Sequence, residues 1–268
     1  MYIHLQLLKI LRMMLINNFL KIMIKYLKKK LRYTFFHYLF LQIYNPKYVK
    51  FLHNEKKFHK KFIGKNNLVF DIGANRGDKT HIFKKFTKKV ISYEPETRMY
   101  KILKERFKNT NVLVSNNLIS DKSGMVNFLS IKNHEAHSSI IKKSISTIKR
   151  RQKKDIIKLI KKSSTLNQEI KKFGKPGYIK IDCEGAEFLI LKKLNKKIKI
   201  ISIEANLPLF YTETAKIVKN MEKKFGSSFN LRINNEYEYY YKDLVDSSKL
   251  LKFLRKKKII CEVFIINK

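Results

Sequence analysis

The stretch Leu68-Val69-Phe70-Asp71-Ile72-Gly73-Ala74-Asn75-Arg76-Gly77 decides the fold, because a short apolar strand runs directly into an acidic turn that contains two glycines. Glycine at 73 and 77 removes the side chain where the backbone must bend sharply and where a ligand must come close. The residues that follow Gly77 can open a helix. A strand, a glycine turn and a helix in this order predict a site for a nucleotide-containing cofactor.

The acid at position 71 precedes the first glycine, which differs from the Gly-x-Gly-x-x-Gly pattern of dehydrogenases. In the dinucleotide fold this turn faces a pyrophosphate, which an early carboxylate would repel. A cofactor without phosphates suits Asp71 better. S-adenosylmethionine is one, and carboxylates attract its amino group and its sulfonium cation. For Asp71 taken alone, a helix N-cap or turn residue is the competing interpretation.

A second acid follows the next apolar run, where Glu94 comes directly after Val90-Ile91-Ser92-Tyr93. This is where the ribose of a nucleotide cofactor would lie. A carboxylate can accept hydrogen bonds from ribose hydroxyls. Together, Asp71 and Glu94 favour a cofactor site over a simple helix cap.

A third acidic turn follows the apolar strand Tyr178–Ile181 and contains Asp182, Glu184 and Glu187. At the carboxyl edge of a parallel sheet, where open α/β folds bind ligands, such clustering can raise a pKa and prepare a general base. Alternatively, Glu184 and Glu187 complement the positive N-terminus of the next helix. Strand alternation places Lys180 on the same face as Asp182 and leaves its partner open.

From residue 68 onward, apolar strands alternate with helical patterns, which is typical of a parallel α/β sheet. The predicted strands are 68–71, 90–94, 111–115, 125–131, 156–161, 178–182, 200–205, 228–233 and 259–266, the last antiparallel. The predicted helices are 78–87, 97–108, 165–173, 185–193 and 214–225. Tyr237–Tyr241 is predicted to be the hairpin partner of strand 228–233.

The composition is strongly basic, with 60 Lys and Arg against 21 Asp and Glu among 268 residues, a formal charge of +39. This charge invites a nucleic-acid interpretation. Only nine of the cations are Arg, however, and phosphate recognition usually favours the Arg fork. The excess of Lys, Ile and Asn is typical of AT-rich codon usage, so nucleic acid is not the favoured partner. Cys183 and Cys261 fit no disulfide framework, which predicts a reducing, cytoplasmic location.

Residues 1–45 mix apolar side chains with recurrent Lys and Arg, and their longest uncharged stretch is too short to span a bilayer. Basic amphipathic helices fit this pattern. They would either pack as a helical cap on the following domain or lie on an anionic membrane surface, at the inner face. We therefore predict a basic helical extension over residues 1–60 and a second domain over 61–268.

No metal site is predicted from the sequence. His134 and His137 have the spacing of a helical ligand pair, but no third ligand accompanies them. The basic run at 149–154 is interpreted as a solvated surface or as an anion-binding segment.

Four motifs resemble, in order and spacing, those of FkbM-type S-adenosylmethionine-dependent methyltransferases. They are Asp71–Gly77, Tyr93-Glu94-Pro95-Glu96, Leu118–Gly124 and Lys180–Glu187, with Ser202-Ile203-Glu204 on the fifth parallel strand. The resemblance covers roughly residues 66–207. Cys183 stands where the family usually has an aliphatic residue, and the segment 132–153, where substrate is expected, is less recognisable.

This resemblance implies a Rossmann-like, seven-stranded class I methyltransferase sheet with helices on both faces. It implies that Asp71, Gly73, Ala74, Asn75 and Gly77 line the methionine end of S-adenosylmethionine, that Glu94 holds the ribose and that Ser120 or Asp121 lies near the adenine. Asp182, Glu184 and Glu187 would approach the acceptor, with Asp182 or Glu184 as the base.

The predicted activity is therefore methyl transfer to a hydroxyl oxygen of a saccharide, a glycan precursor or a small metabolite. Two alternatives remain open. One is an RNA methyltransferase, and the other is a non-catalytic protein of this fold that binds membranes or anions.

Overall fold

A computed structural model describes residues 45–131, except 66, and residues 156–267, together with the isolated positions 18, 20, 23 and 141. Nearly all of the predicted basic helices of residues 1–45, and nearly all of the segment 132–153 with its two histidines, lie outside the described residues. The chain divides into two compact units, Met1–His53 and Asn54–Lys268. The packing described below belongs to the second unit.

Helices and strands alternate along the described chain. In chain order they are α1 (Pro46–His59), β1 (Leu68–Ile72), α2 (Asp78–Phe83), β2 (Lys89–Tyr93), α3 (Thr97–Arg106), β3 (Val112–Ser115), β4 (Leu118–Ser120), β5 (Gly124–Ile131), β6 (Ile156–Thr165), α4 (Leu166–Phe173), β7 (Tyr178–Ile181), α5 (Glu187–Leu191), β8 (Ile200–Asn206), α6 (Tyr211–Phe225), β9 (Ser228–Ile233), α7 (Ser247–Arg255) and β10 (Ile260–Ile266).

The main sheet has seven strands in the order β3-β2-β1-β7-β8-β10-β9. The first five are parallel, and β10 is antiparallel to both of its neighbours. A smaller sheet has the order β4-β6-β5. The main sheet grows from β1 toward β3 and then resumes on the other side of β1 with β7. The carboxyl ends of β1 and β7 therefore form a switch point, where open α/β sheets bind ligands.

The predicted α/β sheet and its antiparallel last strand are confirmed. Helices α2 and α5 are shorter than predicted because turns end them early, whereas α6 begins three residues earlier than predicted. Helix α7 was not predicted, although Asp246 caps it by accepting a hydrogen bond from the Lys249 backbone N–H (2.7 Å). Leu250 and Leu254 also have the helical spacing of a buried face.

The predicted hairpin partner at Tyr237–Tyr241 is wrong, since the structure has turns and bends there. Asn230 supplies the local hydrogen bonds instead: its side-chain amide donates to the Tyr241 carbonyl (2.9 Å) and its side-chain oxygen accepts from the Tyr241 N–H (3.1 Å). The ring of Tyr239 packs edge-on against Phe58 and Phe264. One backbone hydrogen bond, from the Tyr240 N–H to the Leu231 carbonyl (2.7 Å), also joins the segment to β9, but side-chain bonding and aromatic packing take the place of a full strand ladder.

The two faces of the main sheet differ in chemistry. One face is apolar and packs on α4, α5, α6 and α7; it includes Phe70, Ile179, Ile201 and Val263. On the opposite face the strand register aligns Asp71 with Lys180, Lys180 with Ser202, Glu204 with Glu262, and Glu262 with Arg232. Because side chains alternate along each strand, the apolar residues and these polar residues lie on opposite faces of the sheet.

Buried ion pairs tie the polar face to α1 and α2. Arg232, whose side chain is 0% exposed, donates to Glu55 (2.7 Å) and to Glu262 (2.6 Å). Lys79 from α2 also contacts Glu55. Burial raises the pKa of Glu262, but Lys79 and Arg232 outweigh it, so that this pKa lies well below its usual range. Each buried charge has an opposite charge beside it, which burial requires.

His59 belongs to the same layer and is neutral there. Burial is the largest influence on the pKa of His59 and lowers it to about 4. Lys79 acts in the same direction. Its Nδ1–H therefore donates to the Glu55 carbonyl (2.8 Å). The Tyr178 hydroxyl and Ser202 hydroxyl, 2.7 Å apart, continue the network, and Ser202 donates to Glu262 (2.8 Å).

The turns that follow β1 and β7 are in close contact at the switch point. Gly73 has φ +79° and a Cβ added there would lie 1.9 Å from the Asp182 carbonyl oxygen. The Asp182 N–H donates to the Ile72 carbonyl (2.9 Å), and the Gly73 N–H donates to the Tyr93 carbonyl (3.0 Å). Only glycine fits here, and its absent side chain brings the turn after β1 against the turn after β7.

Replacing Arg232 with Met should destabilise the fold strongly. The change leaves Glu55 and Glu262 without their guanidinium partner, and losing one partner of a buried ion pair costs about 3–5 kcal/mol. Denaturant unfolding at neutral pH measures the loss. Arg255→Met, at an exposed position on α7, is the matched control. Equal losses in the two variants would show that the network does not hold the polar face.

Gly73→Ala should lower the free energy of unfolding by more than Gly226→Ala. Both glycines have positive φ, but a Cβ at Gly226 meets nothing within 4 Å. The Gly226→Ala control therefore measures only the cost of placing alanine in the left-handed backbone conformation, about 1–2 kcal/mol. Gly73→Ala adds the clash with the Asp182 carbonyl. Thermal and denaturant unfolding compare the pair, and indistinguishable losses would contradict this packing.

Candidate functional site

The site begins at the carboxyl end of β1, where Asp71 is 0% exposed. The Thr80 hydroxyl of α2 donates to its Oδ2 and lies 2.9 Å from the Ser92 hydroxyl. Among the described residues, no donor reaches Asp71 Oδ1, although this atom is buried. Burial raises the pKa of Asp71, whereas Lys180 and the Thr80 hydrogen bond act against this rise. A buried acceptor that lacks a donor is costly, and a ligand donor would relieve it.

Gly77 ends the turn and starts α2. Its φ is +78°, and a Cβ there would lie 2.5 Å from Leu103 and 2.5 Å from Phe107. Ala74 belongs to the same small apolar cluster. The atoms that crowd Gly73 and Gly77 are thus atoms of the protein. Close packing of the chain therefore requires both glycines, and their contact with a cofactor stays a prediction.

Glu94 joins the turn to the end of β2. Its Oε2 accepts from the Asn75 N–H (2.7 Å), and its Oε1 accepts from the Glu96 N–H (2.8 Å). Burial raises the pKa of Glu94 to about 7, against the effect of these two hydrogen bonds. Glu94 therefore fixes Asn75, which has φ +50°, while each carboxylate oxygen keeps a second lone pair.

Ser120 and Asp121 lie at the end of β4, in the smaller sheet. Ser120 is 2% exposed, and its hydroxyl donates to Asp121 Oδ1 (3.2 Å). Asp121 Oδ2 forms an ion pair with Lys192 (2.6 Å). The hydrogen bond from Lys192 is the largest reason that the pKa of Asp121 is lowered.

The acidic turn after β7 is held by one of its own carboxylates. Glu187 Oε1 accepts from the Cys183 N–H (2.8 Å), and burial raises the pKa of Glu187 to about 7. Glu184 has φ +52°. Gly185 has φ +97°, and a Cβ there would lie 2.4 Å from the Phe210 ring. The turn is therefore tightly specified, and Glu187 shapes it.

A cavity of about 210 Å³ opens beside this turn at the carboxyl edge of the sheet. It is lined by Lys79, Lys180, Ile181, Asp182, Glu204, Arg232, Asn234, Asn235, Ile260, Cys261 and Glu262. Of the three acids predicted to face an acceptor, Asp182 is on this wall, and it pairs with Lys180 (2.8 Å). The ion pair identifies the partner that strand alternation had left open for Lys180.

Several cavity residues were missed from the sequence. Glu204 had been noted within the family resemblance but given no role, and Glu262 only as part of the predicted strand 259–266. The available signal was an acid inside each apolar run, since Ile200-Ile201-Ser202-Ile203 precedes Glu204 and Ile260-Cys261 precedes Glu262. Charged residues are rarely buried unless they are paired or functional. Lys79 and Arg232 carried no such signal, because the chain has 60 cations.

The described residues lack two kinds of feature, a metal-ligand cluster and a membrane-spanning helix. Within them, no three His, Cys, Asp or Glu side chains form a group able to hold a metal ion. In the same part of the chain, no helix combines the length and the hydropathy needed to cross a bilayer.

Several solved structures are similar to parts of this chain at low sequence identity. They include a precorrin-6y C5,15-methyltransferase from Geobacter metallireducens, with 8% identity, a TM-score of 0.44 and coverage of 81% of this chain and 87% of that one. An rRNA methylase from Streptococcus thermophilus has 8% identity, a TM-score of 0.42 and coverage of 81% and 95%. A tRNA methyltransferase from Aquifex aeolicus has 9% identity, a TM-score of 0.44 and coverage of 80% and 68%.

No curated protein sequence matches the chain. The family described as methyltransferase FkbM domain, in contrast, matches residues 71–243, which is more than half of the chain. The match begins at Asp71 and includes both acidic turns and the cavity-lining strands β7, β8 and β9, whereas β10 lies beyond it. The chain therefore belongs to the FkbM methyltransferase family.

Proposed function

We propose that this protein transfers a methyl group from S-adenosylmethionine to a hydroxyl oxygen of a polar acceptor. One observation carries the proposal: the turn 73–77 packs directly on Asp182, and Asp182 lines the cavity. The predicted cofactor turn and a polar cavity therefore adjoin at the switch point of the sheet. Methyl transfer needs two ligands side by side, and this arrangement provides for both.

The residues present fit S-adenosylmethionine. Asp71 Oδ1 is a buried acceptor without a donor among the described residues, and the amino group of the cofactor is a donor. Glu94 retains acceptor capacity for ribose hydroxyls after binding two backbone N–H groups. We assign the methionine end to Asp71, Gly73, Ala74, Asn75 and Gly77, the ribose to Glu94, and the adenine to the neighbourhood of Ser120 and Asp121. When bound, the cofactor supplies an electrophilic methyl group.

The acidic turn after β7 would orient the acceptor. Glu187 fixes the turn through Cys183, and Lys180 fixes the carboxylate of Asp182. Asp182, and Glu184 beside it, would then contact the hydroxyl-bearing substrate. Precise positioning of two reactants accounts for a large part of the rate in such a displacement.

The cavity wall favours a hydroxyl-rich acceptor of low net charge. Its cations are Lys79, Lys180 and Arg232, and its acids are Asp182, Glu204 and Glu262. Two side-chain amides, Asn234 and Asn235, add neutral donors and acceptors. A saccharide, a glycan precursor or a small polar metabolite fits this balance.

RNA as the acceptor has one observation in its favour, the formal charge of +39. The cavity wall does not share this excess, because its three cations are matched by three acids and leave no formal positive charge to attract a phosphate backbone. A catalytically inactive protein that binds membranes or anions is the other alternative. The cytoplasmic location, and contact of residues 1–45 with the inner face of the membrane, rest on the sequence alone.

Asp71→Asn and Glu94→Gln should each weaken S-adenosylmethionine binding at least tenfold, about 1.4 kcal/mol. Both changes keep the shape of the side chain. Asp71→Asn removes the carboxylate that attracts the amino group of the cofactor, and Glu94→Gln replaces one acceptor oxygen by an NH2 group that cannot accept from a ribose hydroxyl. Titration calorimetry measures the affinities, with Glu105→Gln, at an exposed position on α3, as the control. Unchanged affinity in both site variants would sink the cofactor assignment.

Methyl-labelled S-adenosylmethionine, incubated with glycan, lipid and RNA fractions of the source cells, should label the glycan or small-metabolite fraction. Asp182→Ala should reduce this labelling far more than it reduces cofactor affinity, because Asp182 faces the cavity. Labelling confined to RNA, with steep salt dependence, would favour the RNA alternative. Cofactor binding without any labelling would favour the inactive one.

A further inference from the structure

Glu204 occupies a distinctive position on the cavity wall. It lies near the carboxyl end of β8, on the polar face of the sheet, and is half-buried. In the strand register it stands directly opposite Glu262 of β10. Asp182, at the end of the neighbouring strand β7, lines the same cavity. Glu204 is thus a carboxyl group that an occupant of the cavity would meet.

The acids around Glu204 already have partners. Lys180 binds Asp182, and Arg232 binds Glu262. Among the described residues, no hydrogen bond or ion pair engages the carboxyl group of Glu204. A polar group left unpaired beside a cavity is available to a ligand, because bonding to the ligand repays the cost of its burial.

The charges around Glu204 favour its protonated form near neutral pH. Burial raises its pKa to about 8, and Asp182, Glu184 and Glu187 act in the same direction, while Lys180 opposes them. The remaining charged or titratable cavity groups, on α2, β9 and β10, are Lys79, Arg232, Cys261 and Glu262. A carboxyl group in this range can both accept and release a proton at physiological pH.

We infer that Glu204 is the general base of this site and that Asp182, held by Lys180, positions the acceptor hydroxyl. This inference rests on the proposed function. Methyl transfer to a hydroxyl oxygen forms a carbon–oxygen bond and breaks the carbon–sulfur bond, whose electron pair goes to sulfur and leaves a neutral thioether. The hydroxyl proton passes to the Glu204 carboxylate, which later releases it to water through the cavity.

This assignment differs from the sequence-based choice of Asp182 or Glu184. A proton arriving at Asp182 Oδ2 would have to displace the Lys180 ammonium group, 2.8 Å away. Glu204 has no such contact among the described residues, so it can receive the proton without breaking an ion pair. Asp182 thereby holds the acceptor, and Glu204 takes its proton.

The first test measures Glu204 without any ligand. Between pH 4.5 and about 8 the folded protein keeps a proton on Glu204 that the unfolded chain has released. The contribution of Glu204 to folding stability is therefore greatest at low pH and is lost as the pH rises through this window. Glu204→Gln should remove this dependence, so that the variant gains stability relative to the wild type between pH 5 and pH 9. Parallel pH–stability curves would overturn the inference, and Glu105→Gln should give such parallel curves.

The second test follows turnover, with labelled S-adenosylmethionine and the cell fraction that accepts label as the probes. Wild-type turnover should rise with pH to a plateau above pH 8, because the base must be ionised. Glu204→Gln should lose about 10²- to 10⁴-fold in turnover and lose this pH dependence, with calorimetric cofactor affinity unchanged within about twofold. Asp182→Asn should lower turnover and keep a rise with pH, displaced to lower pH because the charge of Asp182 helps raise the pKa of Glu204.

The outcomes separate the inference from the proposed function. Near-normal turnover in Glu204→Gln, with cofactor binding intact in both proteins, overturns the role of Glu204 and leaves the methyltransferase assignment in place. Failure of the wild type to bind S-adenosylmethionine overturns both. In that case the pH–stability comparison still shows whether Glu204 titrates near neutrality, and it then reports on folding rather than catalysis.

Discussion

The contact between Gly73 and the Asp182 carbonyl is the constraint on which the site depends. Sheet growth changes direction between β1 and β7, so the turns after these strands diverge into different helices, α2 and α5. A side chain at position 73 would force the turns apart. Its absence brings the predicted cofactor turn within contact distance of the acidic turn that borders the cavity. Because positioning governs displacement reactions, this packing links backbone geometry to chemistry.

The polar face of the sheet needs a second constraint, which is charge balance. A sheet buried on both faces is usually apolar on both, yet here one row contains Asp71, Lys180, Glu262 and Arg232. Such a row is stable only when each charge has a counter-charge, and α1 and α2 provide Glu55 and Lys79. The helices on this face therefore stabilise the sheet through their charged side chains as well as through apolar contacts. The opposite face, filled by aliphatic and aromatic side chains, holds the helices mainly by burial, with one added hydrogen bond from the Tyr93 hydroxyl to Glu169 of α4 (3.0 Å).

The fold was predictable because its signals are local. An apolar run followed by an acid and a glycine identifies the end of a parallel strand, as at Asp71 and again at Asp182. The site was only partly predictable, because its cavity joins residues that are distant in sequence. Arg232 pairs with Glu55, which lies far earlier in the sequence, and no local pattern distinguishes this arginine from the other cations. The Tyr237–Tyr241 prediction failed for a related reason: Asn230, an ordinary strand residue, takes over the hydrogen bonds that a hairpin partner would make.

Glu204 and Glu262 show how one site separates two similar acids. They face each other across β8 and β10 and are both withdrawn from solvent. Burial alone would raise the pKa of each. Lys79 and Arg232 lie beside Glu262 and lower its pKa well below the usual range, whereas Asp182 lies beside Glu204 and helps raise its pKa to about 8. Environments that push two carboxyl groups apart in pKa assign them different roles. Glu262 is thereby kept as a structural anion, and Glu204 is left able to exchange a proton with whatever enters the cavity.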